Sequence, residues 1–580
     1  MRAWKSSQRV VLKALPHLWL AAWLLIVGPA ATVVAQSVLA VSETQDPSLL
    51  LNRGRQFERD RRWADALNHY EQALRQHPAH RELQDRLLLA KAHFDVSRRY
   101  ADNSYIQAVN GTSKTAALDV YTEVLGKIQT HYVQAVHWHD LVRQGTFHLE
   151  VALTEPVFLR RFLPNVPAEQ INACRREIRQ LTDQRVVRSR NESRELVEQA
   201  SRLATERLGL PTTAAVYEYL CGAMNSLDDY SGFLTSDQLD DVFSQIEGNF
   251  VGLGIELKAE DNQLLVVNVI VGSPADKGGL RKHERIVAVD GQSTHDVSTD
   301  KAADMLRGTA GSAVTVEVLD LMGRPRTVKL LRERVEVPSV EDVKIVDADA
   351  GVGYLRITSF QKTTNRDVDA ALWKLQQQGM QRLIVDVRGN PGGLLTASVE
   401  VADKFVQEGL IVMTRGRSAS EDNDYKAQVS GTWRMPLVVL IDGDSASASE
   451  IFAGAIRDHR RGKIVGERSY GKGSVQGIFP LSSSSAGVRL TTAKFFSPAG
   501  HEINKRGVSP DVTVRTAAKP AIDGATLQPA ATAAAPSGAT TAVATNTATN
   551  AGTSTAASTA SSPALADAAL EAAIQAARTP

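Results

Sequence analysis

Residues 436–456 read PLVVLIDGDSASASEIFAGAI. The first six residues are apolar and include several β-branched side chains, a composition typical of a strand that is buried on both faces. After Glu450, apolar residues recur at the spacing of an α-helix. The sequence therefore predicts that Ser447 lies at the turn between a buried strand and the start of a helix.

A serine at the start of a helix lies beside unpaired backbone N–H groups, which can stabilise the oxyanion of an acyl-transfer intermediate. Its hydroxyl is a weak nucleophile and needs a base. The candidate base is Lys472, which stands between Gly471 and Gly473, and Gln476 is placed to orient it. A lysine acts as a base only when it is neutral. Lowering its pKa from about 10.4 to about 7 costs roughly 5 kcal/mol, which burial can supply.

Neither motif alone establishes catalysis, because a serine-rich run is also typical of a capping loop and Gly-Lys-Gly of a turn. Other blocks occur along the chain in a defined order: Asn225-Ser226-Leu227-Asp228-Asp229-Tyr230-Ser231, Gly252-Leu253-Gly254-Ile255, Asp386-Val387-Arg388-Gly389-Asn390-Pro391-Gly392-Gly393 and Leu490-Thr491-Thr492-Ala493-Lys494. Together with the Ser447 and Lys472 blocks, they resemble the carboxyl-terminal processing peptidases over residues 115–150 and 210–515. Those enzymes are serine endopeptidases with a Ser/Lys dyad. The resemblance implies that Ser447 is the nucleophile, Lys472 the general base and Gln476 its orienting partner, while Ser445 and Ser449 are structural.

Residues 336–516 are predicted to form an α/β catalytic core. Residues 353–357 and 383–387 have the composition of strands and flank a helical pattern at 368–375, which indicates a βαβ unit. Functional loops lie at the carboxyl ends of such strands, where the Gly392-Gly393 loop and the Ser447 turn both fall. The resemblance implies a crotonase/ClpP-like core in which the N–H groups of Gly393 and Ala448 form the oxyanion hole. The sequence does not decide whether Gly392 or Gly393 points inward.

The same loops are compatible with two other chemistries. A glycine-rich loop after a strand can bind phosphate, but the Gly-Lys-Ser/Thr and Gly-x-Gly-x-x-Gly patterns are missing here. A histidine could replace lysine as the base, but His459 lies about 18 Å from Ser447 along the predicted helix, at about 1.5 Å per residue. His501 falls in a predicted turn. The sequence favours the lysine.

Residues 247–334 resemble a PDZ domain of the kind found in bacterial proteases. The block Gly252-Leu253-Gly254-Ile255 precedes a strand at 264–270. By resemblance, backbone N–H groups of this block hold the terminal carboxylate of a peptide that adds as a strand to an open sheet edge. The strand that follows the block then shapes an apolar pocket for the last side chain. A small β-rich domain without a ligand is the alternative.

Two helical regions are predicted before the PDZ domain. Residues 47–108 are predicted to be a helical segment, in which residues 47–80 resemble a tetratricopeptide repeat and 81–108 continue as a helix. The repeat's small and aromatic positions are Gly54, Phe57, Ala66, Tyr70, Ala73 and Pro78. This segment would dock an adaptor or partner protein, or act as a strut. Residues 109–246 are predicted to be a helical cap, in which 151–210 is an insertion relative to the family.

The two ends of the chain differ from its middle. Residues 1–35 have the pattern of an export signal, with basic residues before an apolar core, and an uncleaved inner-membrane anchor is the alternative. Both predict a periplasmic or cell-envelope protein. Residues 517–580 are rich in Ala, Thr and Ser and are predicted to be disordered, although helical spacing returns between Pro563 and Arg578.

Net charge and residue spacing argue against nucleic-acid binding and metal binding as functions of this protein. The net charge of +1 argues against nucleic acid as the main partner. His137 and His139 have no third ligand in sequence, so we predict no metal site, and no cofactor is implied. The two cysteines, Cys174 and Cys221, could pair in an exported protein or remain two buried thiols.

The sequence as a whole predicts an exported serine endopeptidase. It would capture the apolar carboxyl end of a protein in its PDZ groove and cleave nearby through an acyl-enzyme on Ser447. The alternative is a catalytically silent PDZ and tetratricopeptide scaffold in the cell envelope.

Overall fold

The computed structural model describes residues 46–260, 262–297, 299–428, 432–514 and 567–579. The predicted export signal at 1–35 and residues 515–566 of the predicted tail lie outside the described residues. The elements described below all belong to the compact unit Pro47–Pro580.

The described chain begins with four helices: α1 (Pro47–Arg59), α2 (Trp63–Gln76), α3 (Arg81–Arg99) and α4 (Asn103–Gly111). Helices α1 and α2 pack closely because Gly54 has no side chain, and a Cβ atom there would lie 2.2 Å from the Tyr70 ring. The Tyr70 hydroxyl donates a hydrogen bond to buried Glu58, which also accepts one from Arg86 of α3. The resemblance of this segment to a tetratricopeptide repeat stays a prediction.

Most of the predicted cap, residues 109–246, is formed by six helices: α5 (Lys114–His131), α6 (Trp138–Ala152), α7 (Pro156–Phe162), α8 (Ala168–Asp183), α9 (Arg190–Leu208) and α10 (Thr212–Asn225). Helices α6 and α10 come close where a Cβ atom on Gly222 would lie 2.7 Å from Gly145 Cα. Helices α7 to α9 account for most of the predicted insertion. The apolar core of the cap continues into α3 and α4 and reaches Val488 and Leu490 in the catalytic region. The helical regions are therefore packed onto the region that is predicted to be the catalytic core.

A short strand, β1 (Gly232–Leu234), and helix α11 (Ser236–Glu247) lead to the region predicted as a PDZ domain. Its elements are β2 (Asn249–Gly252), β3 (Ile255–Glu260), β4 (Gln263–Val269), α12 (Pro274–Lys277), β5 (Arg285–Val289), β6 (Gln292–Ser293), α13 (Thr299–Leu306), β7 (Ala313–Leu319), β8 (Pro325–Leu331) and β9 (Glu333–Glu336). The main sheet has the order β3-β4-β5-β7-β8, with β6 paired to β5. Strand β3, which follows the Gly252–Ile255 block, is thus an edge strand of the sheet. Strands β2 and β9 pair antiparallel where the chain enters and leaves the domain.

The catalytic region contains β10 (Val340–Asp347), β11 (Val352–Ile357), α14 (Thr364–Gln377), β12 (Arg382–Asp386), α15 (Leu395–Asp403), β13 (Leu410–Gly416), β14 (Asn423–Lys426), β15 (Leu437–Ile441), α16 (Ala448–Asp458), β16 (Lys463–Gly466), β17 (Ser474–Pro480), β18 (Gly487–Phe496) and β19 (Val512–Thr513). One sheet has the order β10-β11-β12-β15-β16-β19 and is parallel except for β10. A second, antiparallel sheet joins β1, β18, β13 and β14, with β17 paired to β18. The predicted βαβ unit corresponds to β11, α14 and β12.

The parallel strands are buried on both faces, as the apolar run at 436–441 predicts. Alternate residues such as Leu383, Val385 and Val439 pack against α14, α15 and α16. The other set, which includes Ile384 and Val438, packs against helix α17 (Ala568–Arg578). The sheet is therefore the middle of three layers, and part of the stretch 517–580 is an ordered helix rather than a disordered tail.

Candidate active site

Ser447 lies in a tight turn between β15 and α16. Its backbone has φ 56° and ψ −113°, and residues other than glycine rarely adopt a positive φ. Neighbouring hydroxyls hold the turn, since Ser445 donates to the Val387 carbonyl at 2.8 Å and Ser449 to the Asn390 carbonyl at 3.0 Å. Ser445 and Ser449 are buried, whereas Ser447 is partly exposed at the start of the helix.

The carboxylate of Glu450 joins the Ser447 turn to the loop that carries Lys472. One oxygen accepts hydrogen bonds from the N–H groups of Ser447 at 2.8 Å and Lys472 at 2.9 Å. The other accepts from the Ser469 hydroxyl at 2.6 Å and the Gly471 N–H at 2.7 Å. Burial raises the pKa of Glu450, and these four donors oppose the shift.

Sequence reasoning gave Glu450 no role, although a signal was present. Ser447 and Glu450 have the Ser-x-x-Glu spacing of a capping box, in which the glutamate reaches back to the serine N–H. The same carboxylate reaches the 469–472 loop, which only the tertiary structure reveals. Glu450 therefore fixes two predicted site residues relative to each other.

Lys472 is partly exposed and has an altered pKa. Its Nζ lies 4.8 Å from the centre of the Tyr230 ring. Burial, and to a lesser degree the positive charge of Arg489, lower the pKa of Lys472 to about 8, while the carboxylates of Glu450 and Asp228 oppose the shift. Roughly one tenth of such an amine is neutral at pH 7, since one pH unit is a factor of ten. The site thus supplies part of the shift that a lysine base needs.

Gln476 lies on β17, and its side chain bonds to neighbouring residues of the same sheet. Its amide nitrogen donates to Ser474 Oγ at 2.9 Å and to Thr491 Oγ1 at 3.4 Å. Among the described residues, no hydrogen bond joins the side chains of Ser447, Lys472 and Gln476. Catalytic hydrogen bonds are often long in a site without substrate. The roles of these three residues therefore stay predictions.

The glycine-rich loop after β12 lies directly against the Ser447 turn. Buried Asn390 joins them, because its carbonyl accepts the Ala446 N–H at 3.0 Å and its side chain donates to the Ile357 carbonyl at 2.9 Å. Gly392 faces the serine, and a Cβ atom there would lie 2.8 Å from both Ser447 Cβ and the Ala446 carbonyl oxygen. Its φ of 105° also favours glycine.

Two backbone N–H groups, one in the residue after Gly392 and one in the residue after Ser447, are unpaired within the described part of the chain. The Gly392 N–H donates to the Asn390 side chain at 2.8 Å. The Gly392 carbonyl and the Leu394 N–H both bond to Phe360, which leaves the Gly393 N–H between them without a partner. Ala448 is the first residue of α16, and its N–H has no partner either. The arrangement therefore leaves Gly393 rather than Gly392 with an available donor.

The histidines considered as alternative bases lie elsewhere. His459 caps the far end of α16, where its Nε2 is 2.6 Å from the Leu410 carbonyl oxygen. The His501 side chain is 68% exposed and lies 3.9 Å from Asp458, at the same end of the helix. Neither histidine lies near the Ser447 turn.

The predicted peptide-binding block also presents backbone donors. Gly254 has φ 77°, and its carbonyl accepts the Ile270 N–H at 2.9 Å, while the Leu253 carbonyl accepts the Ala275 N–H at 2.9 Å. Within the described residues, the N–H groups of Leu253 and Gly254 have no acceptor. Gly252 belongs to β2 and Ile255 begins β3, so the two free donors lie at the start of the edge strand.

The described residues contain no group of three His, Cys, Asp or Glu side chains arranged to hold a metal ion. Cys174 and Cys221 are both free and buried, so they do not form the disulfide that the sequence left open. None of the helices that the structure describes has the length and hydropathy of a membrane span.

Comparison with known proteins identifies the family. Residues 351–514 match peptidase family S41 and residues 265–320 match a PDZ domain. A carboxy-terminal-processing protease of Bartonella bacilliformis is 36% identical over 320 residues, which cover 54% of this chain and 73% of that protein. The chain belongs to the carboxyl-terminal-processing peptidases of family S41.

Other relatives of this S41 peptidase have the same description. A carboxyl-terminal-processing protease of Synechocystis is 38% identical over 46% of this chain and 62% of its own length. A solved structure of a photosystem II D1 C-terminal processing protease covers 70% of this chain and 93% of its own, with 27% identity and a TM-score of 0.37. The two family matches and the Bartonella relative confirm the predicted family, the serine-peptidase activity and the PDZ domain. The crotonase/ClpP-like description of the core stays a prediction.

Proposed function

We propose that this S41 peptidase binds the carboxyl end of a protein substrate in its PDZ groove and cleaves the nearby chain through an acyl-enzyme on Ser447. The observation that carries the proposal is the Ser447 turn, where a partly exposed serine precedes Ala448 and lies against Gly392, which precedes Gly393. Among the described residues, the N–H groups of Ala448 and Gly393 have no acceptor. Lys472 is held to the same turn through Glu450.

Substrate capture would use the donors of the Gly252–Ile255 block. The free N–H groups of Leu253 and Gly254 suit the carboxylate at the end of a chain. The residues before that carboxylate would pair with β3, which is an edge strand. Partly buried Ile255 and Leu257 border the apolar core of the domain and favour an apolar last side chain.

In the first chemical step, neutral Lys472 removes the proton from Ser447 Oγ as that oxygen bonds to the carbonyl carbon of the scissile peptide. The N–H groups of Gly393 and Ala448 stabilise the resulting oxyanion. The protonated lysine then donates its proton to the leaving amine as the C–N bond breaks. Lys472 next takes a proton from water as the water oxygen bonds to the acyl carbon. It returns this proton to Ser447 Oγ as the ester C–O bond breaks, which releases the acid product and regenerates neutral Lys472. Gln476 would orient the lysine once substrate is bound.

Location and partners belong to the same proposal. The pattern of residues 1–35 supports action in the periplasm or cell envelope, and residues 47–108 offer a segment for docking an adaptor. N-terminal sequencing of the protein recovered from a fractionated envelope tests the location. Recovery of the intact chain from the cytoplasm would count against export.

The test of the mechanism compares wild type with Ser447→Ala and Lys472→Ala on an unfolded protein that ends in apolar residues. Ser420→Ala and Lys426→Ala are matched controls, because both residues are exposed. We expect cleavage only by wild type and the controls. Wild-type kcat/KM should rise about tenfold per pH unit and level off above about 8, because the neutral form of Lys472 is the active one.

Other results would contradict the proposal. Equal cleavage by Lys472→Ala would remove the lysine from its role as the base. Failure of the wild-type protein to cleave any unfolded substrate would favour the silent scaffold. The same substrate ending in two aspartates should be cleaved with a higher KM if the PDZ domain selects apolar tails.

A further inference from the structure

Arg489 contacts the same tyrosine, Tyr230, as the candidate base. It belongs to β18, opposite Gly232 of β1 and Ile478 of β17. Its Nε donates a hydrogen bond to the Tyr230 carbonyl oxygen at 2.9 Å. The ring of the same tyrosine faces Lys472 Nζ at 4.8 Å. One residue therefore contacts both cations, through its carbonyl and through its ring.

The charged groups around Lys472 do not all shift its pKa in the same direction. Glu450 of α16 and Asp228 of the loop before β1 are carboxylates that favour the ammonium form, and the face of the Tyr230 ring also attracts a cation. Arg489 of β18 is the one cation among the charged neighbours that act on Lys472 in the described structure. A guanidinium stays charged at every pH at which the enzyme works. The positive charge of Arg489 therefore disfavours the ammonium form of Lys472 at every working pH, whereas the other three groups favour it.

We propose that Arg489 is a positioning residue for the general base of this peptidase. Its charge adds to the effect of burial in disfavouring the protonated form of Lys472, and its bond to the Tyr230 carbonyl positions the residue whose ring lies against that amine. This inference rests on the proposed role of Lys472 as the base. Arg489 acts through Lys472 and Tyr230 and touches no reacting atom.

Replacement of Arg489 separates its charge from its packing. Arg489→Gln removes the charge but keeps a side-chain amide that can donate to the Tyr230 carbonyl. Arg489→Lys keeps the charge. We expect the midpoint of the pH profile of kcat/KM to rise by about one unit in Arg489→Gln, which lowers kcat/KM at pH 7 about tenfold. Arg489→Lys should keep a midpoint near that of wild type.

A second measurement reports the protonation of Lys472 independently of catalysis. In a Ser447→Ala background, the rate at which an amine-acylating reagent modifies Lys472 reports the fraction of neutral amine at each pH, with the modified residue identified by mass spectrometry. The midpoint should shift upward by the same amount in Arg489→Gln. Arg415→Gln, on strand β13 of the same sheet, is the control and should leave both midpoints in place.

The outcomes distinguish the two proposals. If kcat/KM of Arg489→Gln falls equally at every pH and both midpoints are unchanged, the role of Arg489 is structural and the inference is overturned. If the modification midpoint shifts while the activity profile does not, Arg489 tunes the lysine, and the assignment of Lys472 as the base fails. A shift of both midpoints supports both proposals.

Discussion

Among the described residues, two regions of this peptidase each present a pair of unpaired backbone N–H groups, and the two pairs are built differently. In the PDZ domain, the donors belong to the consecutive residues Leu253 and Gly254 of one loop. At the active site, one donor belongs to Gly393 in the loop after β12 and the other to Ala448 at the start of α16. The residues of the second pair are 55 positions apart in sequence.

The difference follows from the anions that each pair is proposed to hold. A terminal carboxylate is a permanent charge, and two neighbouring N–H groups in one loop can hold it. An oxyanion forms only at the reacting carbon beside Ser447, so its donors must be fixed relative to that serine. Buried Asn390 and Glu450 provide this fixation. The Asn390 carbonyl accepts hydrogen bonds from the Ala446 N–H and the Ser449 hydroxyl, and the Glu450 carboxylate accepts them from the N–H groups of Ser447 and Lys472. The proposed oxyanion pair therefore depends on tertiary contacts that the proposed carboxylate-binding pair does not need.

The largest effect is expected from Gly392→Ala. The new Cβ atom would lie 2.8 Å from Ser447 Cβ and from the Ala446 carbonyl oxygen, so the loop and the serine turn must separate. We expect kcat to fall roughly 100-fold or more, as for loss of an oxyanion donor. Gly389→Ala is the matched control, because Gly389 also has a positive φ of 67°, but its Cβ atom would have no atom closer than 3.7 Å. Similar kcat values for the two variants would show that contact with the serine turn does not matter.

Glu450→Gln should have the next largest effect. Both carboxylate oxygens accept two hydrogen bonds, so the amide nitrogen of glutamine would face two donors instead of accepting from them. We expect the free energy of unfolding to fall by about 3 kcal/mol and kcat to fall about tenfold. Glu400→Gln, at an exposed position of α15, is the control. Chemical denaturation measures the free energy of unfolding, and initial rates measure kcat. An unchanged kcat would show that Glu450 does not position the site.

Gly254→Ala tests the binding loop alone. The added Cβ atom would lie 2.3 Å from Ser273 Cβ, at a residue with φ 77°. KM for a substrate with an apolar carboxyl end should rise about tenfold, since roughly 1.4 kcal/mol of binding is lost. Cleavage of a short amide substrate without such a tail should not change. Gly279→Ala has a similar φ of 78° and open space, so it controls for backbone strain. Loss of kcat in Gly254→Ala would contradict the separation of binding from catalysis.

The smallest effect on activity is expected from Ala573→Asp in α17. Ala573 is fully buried against the sheet, and Asp567 at the start of the helix bonds to Arg388, which leads into the catalytic glycine loop. A buried charge should detach α17, which amide hydrogen exchange would show as lost protection of residues 568–578. We expect kcat to fall less than about threefold, because Asp386 still holds Arg388. Gln575→Asp, on the exposed face, should leave the helix protected.

Strands and helices could be predicted from the sequence where apolar residues form a continuous run or recur at helical spacing. The apolar run of β15, the helical pattern of α16 and the βαβ unit all depend on neighbouring residues. The blocks of the S41 family and the PDZ domain are likewise contiguous. The sequence did not decide whether Cys174 and Cys221 form a disulfide, because pairing depends on the distance between two helices. The structure shows that both thiols are free.

The sequence by itself determined the strand–turn–helix that holds Ser447, the two glycine blocks and the family. Only the tertiary structure decided that Gly393 rather than Gly392 has a free donor, because Asn390 occupies the other N–H. It also decided that Glu450 bridges to Lys472, that Arg489 reaches Tyr230 across 259 positions, and that Arg388 reaches Asp567 across 179. Such contacts join residues far apart in the chain, and no local period of the sequence records them.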